Sequence, residues 1–96
     1  MILKNDELKT TFEVPDRPTY KQALLYWQHV EQVNPAMYER LWPGVCVLAT
    51  GWQSPIPLDA DLLEREASAE GMAIVKWASL AVFSHMFALR EIPKNS

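Results

Sequence analysis

The side chains that could carry out chemistry are few and widely spaced. His29 and His85 are far apart, and neither stands at a spacing that binds a metal ion or orients a nucleophile. Ser84 precedes His85, but adjacent residues of a helix do not face each other, so no Ser–His pair is expected there. We therefore expect no catalytic residues, no metal site and no cofactor, and a protein that is not an enzyme.

Acidic residues form one local charge bias, between Asp59 and Glu70. Their spacing does not match a calcium-binding loop, and no glycine stands where that loop turns sharply, so a solvated helix face is the simpler interpretation.

Cys46 is the single cysteine, which excludes a disulfide within the chain and fits a reducing, cytoplasmic location. Within the apolar run VCVLA it is expected to fill space as a buried small residue.

Composition indicates one globular domain. The chain has 96 residues, of which 49% are hydrophobic and 22% charged. The net charge of −3 and the scattered Lys and Arg residues lack the basic patch that binds phosphate backbones. We therefore expect no nucleic-acid partner.

An extended segment precedes the helices. Apolar positions alternate between Leu8 and Val14, which is the period of a half-buried strand. Ile2 and Leu3 either pair with this strand as a short β-hairpin or belong with it to an extended arm, over about residues 2–14.

Helices are expected in the middle of the chain. Thr19 and Gln22 form a capping box that starts an amphipathic helix of about fifteen residues. A second helix is expected from Asn34 to about Trp42, with the following Pro-Gly pair interrupting it. Residues 45–52 fit either a strand or a resumed helix, and we favour helix because no second convincing strand follows that could pair with it.

Two further elements are expected before the last helix. Residues 53–59 contain two prolines separated by one residue, and this pattern predicts an extended loop. A short helix then begins at Asp59, with acids near its start where the helix dipole favours them. Ser68 caps the last helix, and Pro93 stops it.

The last helix, over about residues 68–91, is the predicted centre of the fold. One side carries small or branched residues suited to close packing: Ile74, Val75, Ala78, Ala81, Val82, His85 and Leu89. A second side carries Met72, Leu80, Phe83 and Phe87, with Lys76 among them and Trp77 between the two sides. Because the chain has few other helices, either another protein covers part of this second side or the first two helices do. The predicted partner-binding residues are Met72, Trp77, Leu80, Phe83 and Phe87.

These patterns predict a mainly α fold, a small helical domain of four to five helices around the central C-terminal helix. The predicted single domain spans 1–96, with an arm or hairpin and loop at 1–18, a helical body at 19–92 and a tail at 93–96. The stretch from Gly71 to Leu89 is at the short edge of membrane-spanning length and contains Lys76, so a buried helix is expected rather than a membrane span.

Four short stretches, distributed over nearly the whole chain, carry a family resemblance. They are the lead ending Phe12-Glu13-Val14-Pro15, the helix opening Thr19-Tyr20-Lys21-Gln22, the segment Leu41-Trp42, and the Trp77 helix ending Ile92-Pro93-Lys94-Asn95. In this order they resemble the small tail assembly chaperones of long-tailed bacteriophages. The resemblance implies a protein of the host cytoplasm without catalytic residues. It also implies binding to the apolar, helical tape measure protein, which is kept soluble during tail assembly, and a tendency to self-associate.

Two other functions are compatible with the sequence. The second apolar side would also suit a homo-oligomeric structural or regulatory module that binds no client. A third alternative is a small membrane-associated protein that uses residues 71–89 as its anchor.

Overall fold

The computed structural model describes residues 1–30, 41–65 and 68–90. In chain order these residues form β1 (Ile2–Asn5), β2 (Thr10–Glu13), α1 (Tyr20–Val30), α2 (Trp42–Leu48), β3 (Thr50–Gln53) and α3 (Ala69–Arg90). The three strands make one antiparallel sheet in the order β1-β2-β3. The prediction of a mainly α domain of four to five helices is therefore wrong, because the protein is mixed α/β.

The N-terminal segment is the hairpin, one of the two predicted alternatives, and not the extended arm. Ile2 lies opposite Glu13 and Asn5 opposite Thr10. The turn is held by the Asn5 side-chain oxygen, which accepts a hydrogen bond from the Leu8 amide at 3.1 Å. Asn favours such turns because its short side chain reaches the backbone a few residues ahead.

Residues 45–52 contain both of the structures that the pattern allowed. α2 continues to Leu48, and after the extended residue Ala49 the chain enters β3. β3 pairs with β2, Thr11 lying opposite Gln53 across an irregular register. The prediction of helix throughout is wrong because β2 itself supplies the partner that β3 requires.

Two predicted helices differ in their bounds, and the predicted loop between them is confirmed beyond Gln53. Most of the helix expected at 34–42 lies outside the described residues; Trp42 begins α2 rather than ending a helix, and Pro43 occupies its first turn, where no amide hydrogen bond is needed. The loop at 53–59 has no helix or strand beyond Gln53, as predicted. The helix expected from Asp59 is reduced, in the described residues, to a 3-10 turn at Leu62–Glu64.

Two of the predicted helix starts are confirmed, at Thr19 and at Ser68. The Thr19 amide donates to Gln22 Oε1 at 2.8 Å, and the Gln22 amide donates to Thr19 Oγ1 at 3.2 Å. These reciprocal bonds are the capping box of α1. At the start of α3, the Gly71 amide donates to Ser68 Oγ at 3.0 Å. Local sequence therefore determines where α1 and α3 begin.

An aromatic cluster joins the sheet to α2 and α3. We call Phe12, Trp42, Trp52 and Trp77 the interior cluster. The Phe12 ring lies 5.1 Å from that of Trp52 and 5.7 Å from that of Trp77, and Trp42 lies 5.5 Å from Trp52. The Trp42 indole donates to the Asp59 carbonyl at 2.6 Å, and the Trp52 indole donates to the Ile56 carbonyl at 2.7 Å. The loop after β3 is thus held against the core through indole hydrogen bonds.

The helix α2 packs against both α1 and α3. Gly44 and Val45 of α2 are buried, as are Tyr26 and Val30 of α1. The Tyr26 ring lies directly over Gly44, where a Cβ atom would be 2.6 Å from Tyr26 Cε1. The absence of a side chain at residue 44 therefore allows α1 to come this close.

Gly44→Ala tests this contact. In a helix the change normally stabilises by about 1 kcal/mol, but here the new methyl group would overlap the Tyr26 ring. Overpacking costs about 1–3 kcal/mol, so we expect a net loss of about 1 kcal/mol in the free energy of unfolding, measured by urea denaturation. A gain in stability would show that α1 and α2 do not meet at Gly44.

Candidate functional site

The structure divides the second apolar side of α3 among three surroundings. Trp77 belongs to the interior cluster, beside Phe12 of β2. Phe83 turns toward α1, where its ring lies 6.2 Å from that of Trp27. Leu80 and Phe87 are 42% and 44% exposed, and Met72 is half-buried. The five predicted partner-binding residues therefore do not form one surface.

The first side of α3 faces the core. Ile74, Val75, Ala78 and Val82 are buried, as the pattern of small and branched residues indicates. Ser79 and Met86 are buried as well, although neither was assigned to that side by the sequence pattern. His85, at the edge of the buried side, has Nε2 within 2.9 Å of the Pro15 carbonyl oxygen and so binds the segment that leads into α1.

A second aromatic cluster runs from the interior to the surface. We call Tyr26, Trp27, Phe83 and Phe87 the outer cluster. Successive ring centroids are 5.2, 6.2 and 5.8 Å apart, the last pair being stacked. Tyr26 at one end is fully buried, whereas Phe87 at the other end is exposed. Neighbouring rings hold Phe83 and Phe87 in place without covering Phe87.

Exposed apolar residues continue from α3 onto α1. Leu24 is 44% exposed and lies one helical turn before Trp27, on the same side of α1. On α3 the spacing from Leu80 to Phe83 to Phe87 likewise follows one side of the helix. We call Leu24, Trp27, Leu80, Phe83 and Phe87 the apolar face. Leu24 and Trp27 are additions to the predicted set, and it is the Trp27–Phe83 contact between α1 and α3 that identifies them.

Among the described residues, no group of three or more His, Cys, Asp or Glu side chains is placed to hold a metal ion. Asp59 pairs with Arg65 and accepts a hydrogen bond from the Asp61 amide at 2.9 Å. The Arg65 bond lowers the pKa of Asp59. These acids stabilise a local turn.

Cys46 is half-buried on α2, not buried as predicted. Burial, followed by the charge of Asp59, raises the pKa of the Cys46 thiol to about 11. The thiol is therefore neutral near pH 7, and a neutral thiol is a poor nucleophile.

Two buried hydroxyl groups, Tyr26 OH and Ser79 Oγ, have no hydrogen-bond partner among the described residues. Burial raises the pKa of Tyr26, so its hydroxyl stays protonated. An unpartnered buried hydroxyl loses its bonds to water without replacement, which costs about 1–3 kcal/mol.

By length and composition, Ala69–Leu89 of α3 is able to cross a membrane, and 33% of that stretch is buried within the described protein. Core helices of water-soluble proteins meet the same criterion, and here the buried residues pack against α2 and the sheet. The remaining sides include Leu80 and Phe87 of the apolar face.

The hydroxyl of Tyr26 is tested by Tyr26→Phe, which keeps the ring over Gly44. Because an unpartnered polar atom is removed, we expect the free energy of unfolding to stay the same or to rise by about 1 kcal/mol. Ser79→Ala is expected to act in the same direction. A loss of more than about 1 kcal/mol on Tyr26→Phe would show that the hydroxyl is bonded.

The raised pKa of Cys46 predicts slow alkylation. At pH 8 the thiolate fraction of the folded protein is about a hundredfold below that of a free cysteine. We expect the alkylation rate to keep rising up to about pH 11. In urea, the profile is expected to level off near pH 8.5. The neutral thiol is the form that folding favours, so its contribution to stability is present below the unfolded pKa and is lost as pH rises through about 11. A folded-state profile that levels off at or below pH 9 would contradict the assignment.

No protein-family model, curated protein or solved structure matches this chain. Its function is therefore inferred from its own residues and from the family resemblance of its four short stretches.

Proposed function

We propose that the protein is a non-enzymatic tail assembly chaperone of a long-tailed bacteriophage, which binds the apolar helical tape measure protein in the host cytoplasm and keeps it soluble. The sequence resemblance supplies the family. The observation that carries the proposal is the apolar face, on which Leu24, Leu80 and Phe87 are each more than 40% exposed. Exposed apolar residues grouped in this way are typical of interaction surfaces.

The apolar face suits a helical client. α1 and α3 each present apolar side chains at three- or four-residue spacing, and the Trp27–Phe83 contact joins the two rows. A client helix laid over this contact would place its own apolar side chains against both rows, which is helix-in-groove recognition. The tape measure protein, as the resemblance describes it, is apolar and helical and so offers such a surface.

The free energy of burying apolar side chains indicates how much surface the client must cover. Burying the exposed parts of Leu24, Leu80 and Phe87 contributes on the order of 3 kcal/mol. A micromolar complex needs about 8 kcal/mol. The client must therefore also cover neighbouring side chains such as Tyr20, which is 84% exposed, and Leu25, which is 38% exposed.

The protein does not need the client in order to have a core. The interior cluster and the buried side of α3 lie away from Leu80 and Phe87, so the apolar face is not required to hold the sheet and helices together. The net charge of −3 favours solubility while the face is uncovered.

Membrane association is the second candidate, since Ala69–Leu89 is long and apolar enough to cross a bilayer. Insertion of α3 into a bilayer would require its buried side to separate from α2 and the interior cluster. Extraction without detergent distinguishes the two candidates, because a membrane span would keep the protein in the membrane pellet.

The proposal is tested by co-expression with the tape measure protein of the same genome. We expect the chain to raise the soluble yield of that protein and to copurify with it. Leu80→Ser and Phe87→Ser are expected to reduce copurification about tenfold with little loss of stability, because both side chains are already partly exposed. Phe83→Ser is a poorer test because it also removes the Trp27 contact.

Ile2→Ser is the matched control. It makes the same kind of change at a residue of β1 that is 70% exposed and lies outside the apolar face. Copurification should be unaffected by it. If the tape measure protein does not copurify with the unmodified chain, the proposal is refuted. If Ile2→Ser and Phe87→Ser reduce copurification equally, the apolar face is not the binding surface.

A further inference from the structure

The stretches of α1 and α3 that carry the apolar face have lysines but no acidic residues. From Tyr20 to Val30 and from Gly71 to Leu89 the chain has Lys21 and Lys76 but no Asp or Glu. The chain as a whole nevertheless carries a net charge of −3. Its described acids lie on the hairpin, before α1, at residues 59–64 and, as Glu70, in the first turn of α3. The apolar face is therefore a locally basic part of an acidic protein.

The position of Lys76 connects this charge to the apolar face. Lys76 is exposed and precedes Leu80 by four residues, so the two side chains lie on the same side of α3. On α1, Lys21 is exposed and precedes Leu24 by three residues. Neither lysine has an ion-pair partner among the residues that the structure describes. Within the described residues, both ammonium groups are thus open to a bound partner.

We propose that the apolar face binds an amphipathic helix whose apolar ridge is flanked by Glu or Asp residues. This inference rests on the proposed function and specifies the kind of client segment that is recognised. The carboxylates of the segment would lie beside Lys76 and Lys21 at the rim of the contact, while its apolar side chains cover Leu80, Phe87 and Leu24. Such rim charges select and orient a partner.

Charge complementarity favours this occupant over two others. A second copy would present the same lysines, so pairing like faces would bring like charges to one rim. Each lysine would raise the affinity of the protein for an anionic membrane about fivefold. The acidic remainder of the protein would be repelled by the same membrane. A helix with flanking acids gains from both lysines while touching little of that remainder.

The test uses two helical peptides with the same apolar ridge of leucines, one flanked by Glu and the other by Lys. Binding to the full chain is followed by fluorescence anisotropy at low and at high ionic strength. We expect the Glu peptide to bind about tenfold more tightly at low salt, because two exposed ion pairs each change the affinity by up to about fivefold. The ratio should approach one at high salt.

Lys76→Glu should weaken binding of the Glu peptide and strengthen binding of the Lys peptide. The matched control, Lys4→Glu, changes an exposed lysine of β1 and should leave both affinities within about twofold. Equal binding of the two peptides, unaffected by Lys76→Glu, would overturn the charge preference while leaving the proposed function intact. Binding of neither peptide, with no capture of the tape measure protein, would remove the proposed function as well.

Two further measurements address the other occupants. Vesicles of zwitterionic lipid and vesicles containing anionic lipid are each sedimented with the chain. Retention by anionic vesicles that is lost in Lys76→Glu, without binding of the Glu peptide, would overturn the inference in favour of a membrane. Self-association that is lost in Phe87→Ser, again without peptide binding, would overturn it in favour of a second copy.

Discussion

A helix that is apolar on all sides must be covered on all sides or else present a surface for something else, and α3 is such a helix. α2 and the sheet cover the side that contains Ile74 and Val82. Trp27 of α1 packs against Phe83, at the edge of the second side. In the part of the chain that the structure describes, Leu80 and Phe87 stay partly in solvent. The proposed function follows from this incomplete coverage.

The rest of the fold determines which side stays uncovered. Packing against a helix stabilises a small sheet, and here Phe12 of β2 packs against Trp77 of α3. α1 is held against α2 through the contact of Tyr26 with Gly44, which also brings the adjacent Trp27 to the edge of α3. The two aromatic clusters therefore have different roles: the interior cluster fixes the layers, and the outer cluster ends at the surface.

Features that depend on neighbouring residues were predictable from the sequence. The capping box of Thr19 and Gln22 and the cap at Ser68 require only residues three positions apart, and the hairpin follows from alternation beside a turn. β3 was not predictable in this way, because its four residues are separated from α2 by Ala49 alone and its partner strand is about forty residues earlier. Pro43 was taken for a break, whereas its place in a first turn depends on where the helix begins.

The predicted partner-binding residues show the same limit. Periodicity identified two sides of α3, and the buried side is confirmed at Ile74 and Ala78. It could not divide the second side, because whether Trp77 faces the sheet and Phe83 faces α1 depends on where those elements pack. The contribution of Leu24 and Trp27 depends on the same packing, since a helical wheel treats each helix separately.

The most direct test of the apolar face uses the four tryptophans as reporters. Trp42, Trp52 and Trp77 belong to the interior cluster, and Trp27 alone lies on the apolar face. The indole NH signals are followed by NMR while an amphipathic helical peptide is added to the labelled protein. We expect the Trp27 signal to shift with saturation while the other three move little. Saturable binding that shifts Trp52 or Trp77 and leaves Trp27 unchanged would contradict it.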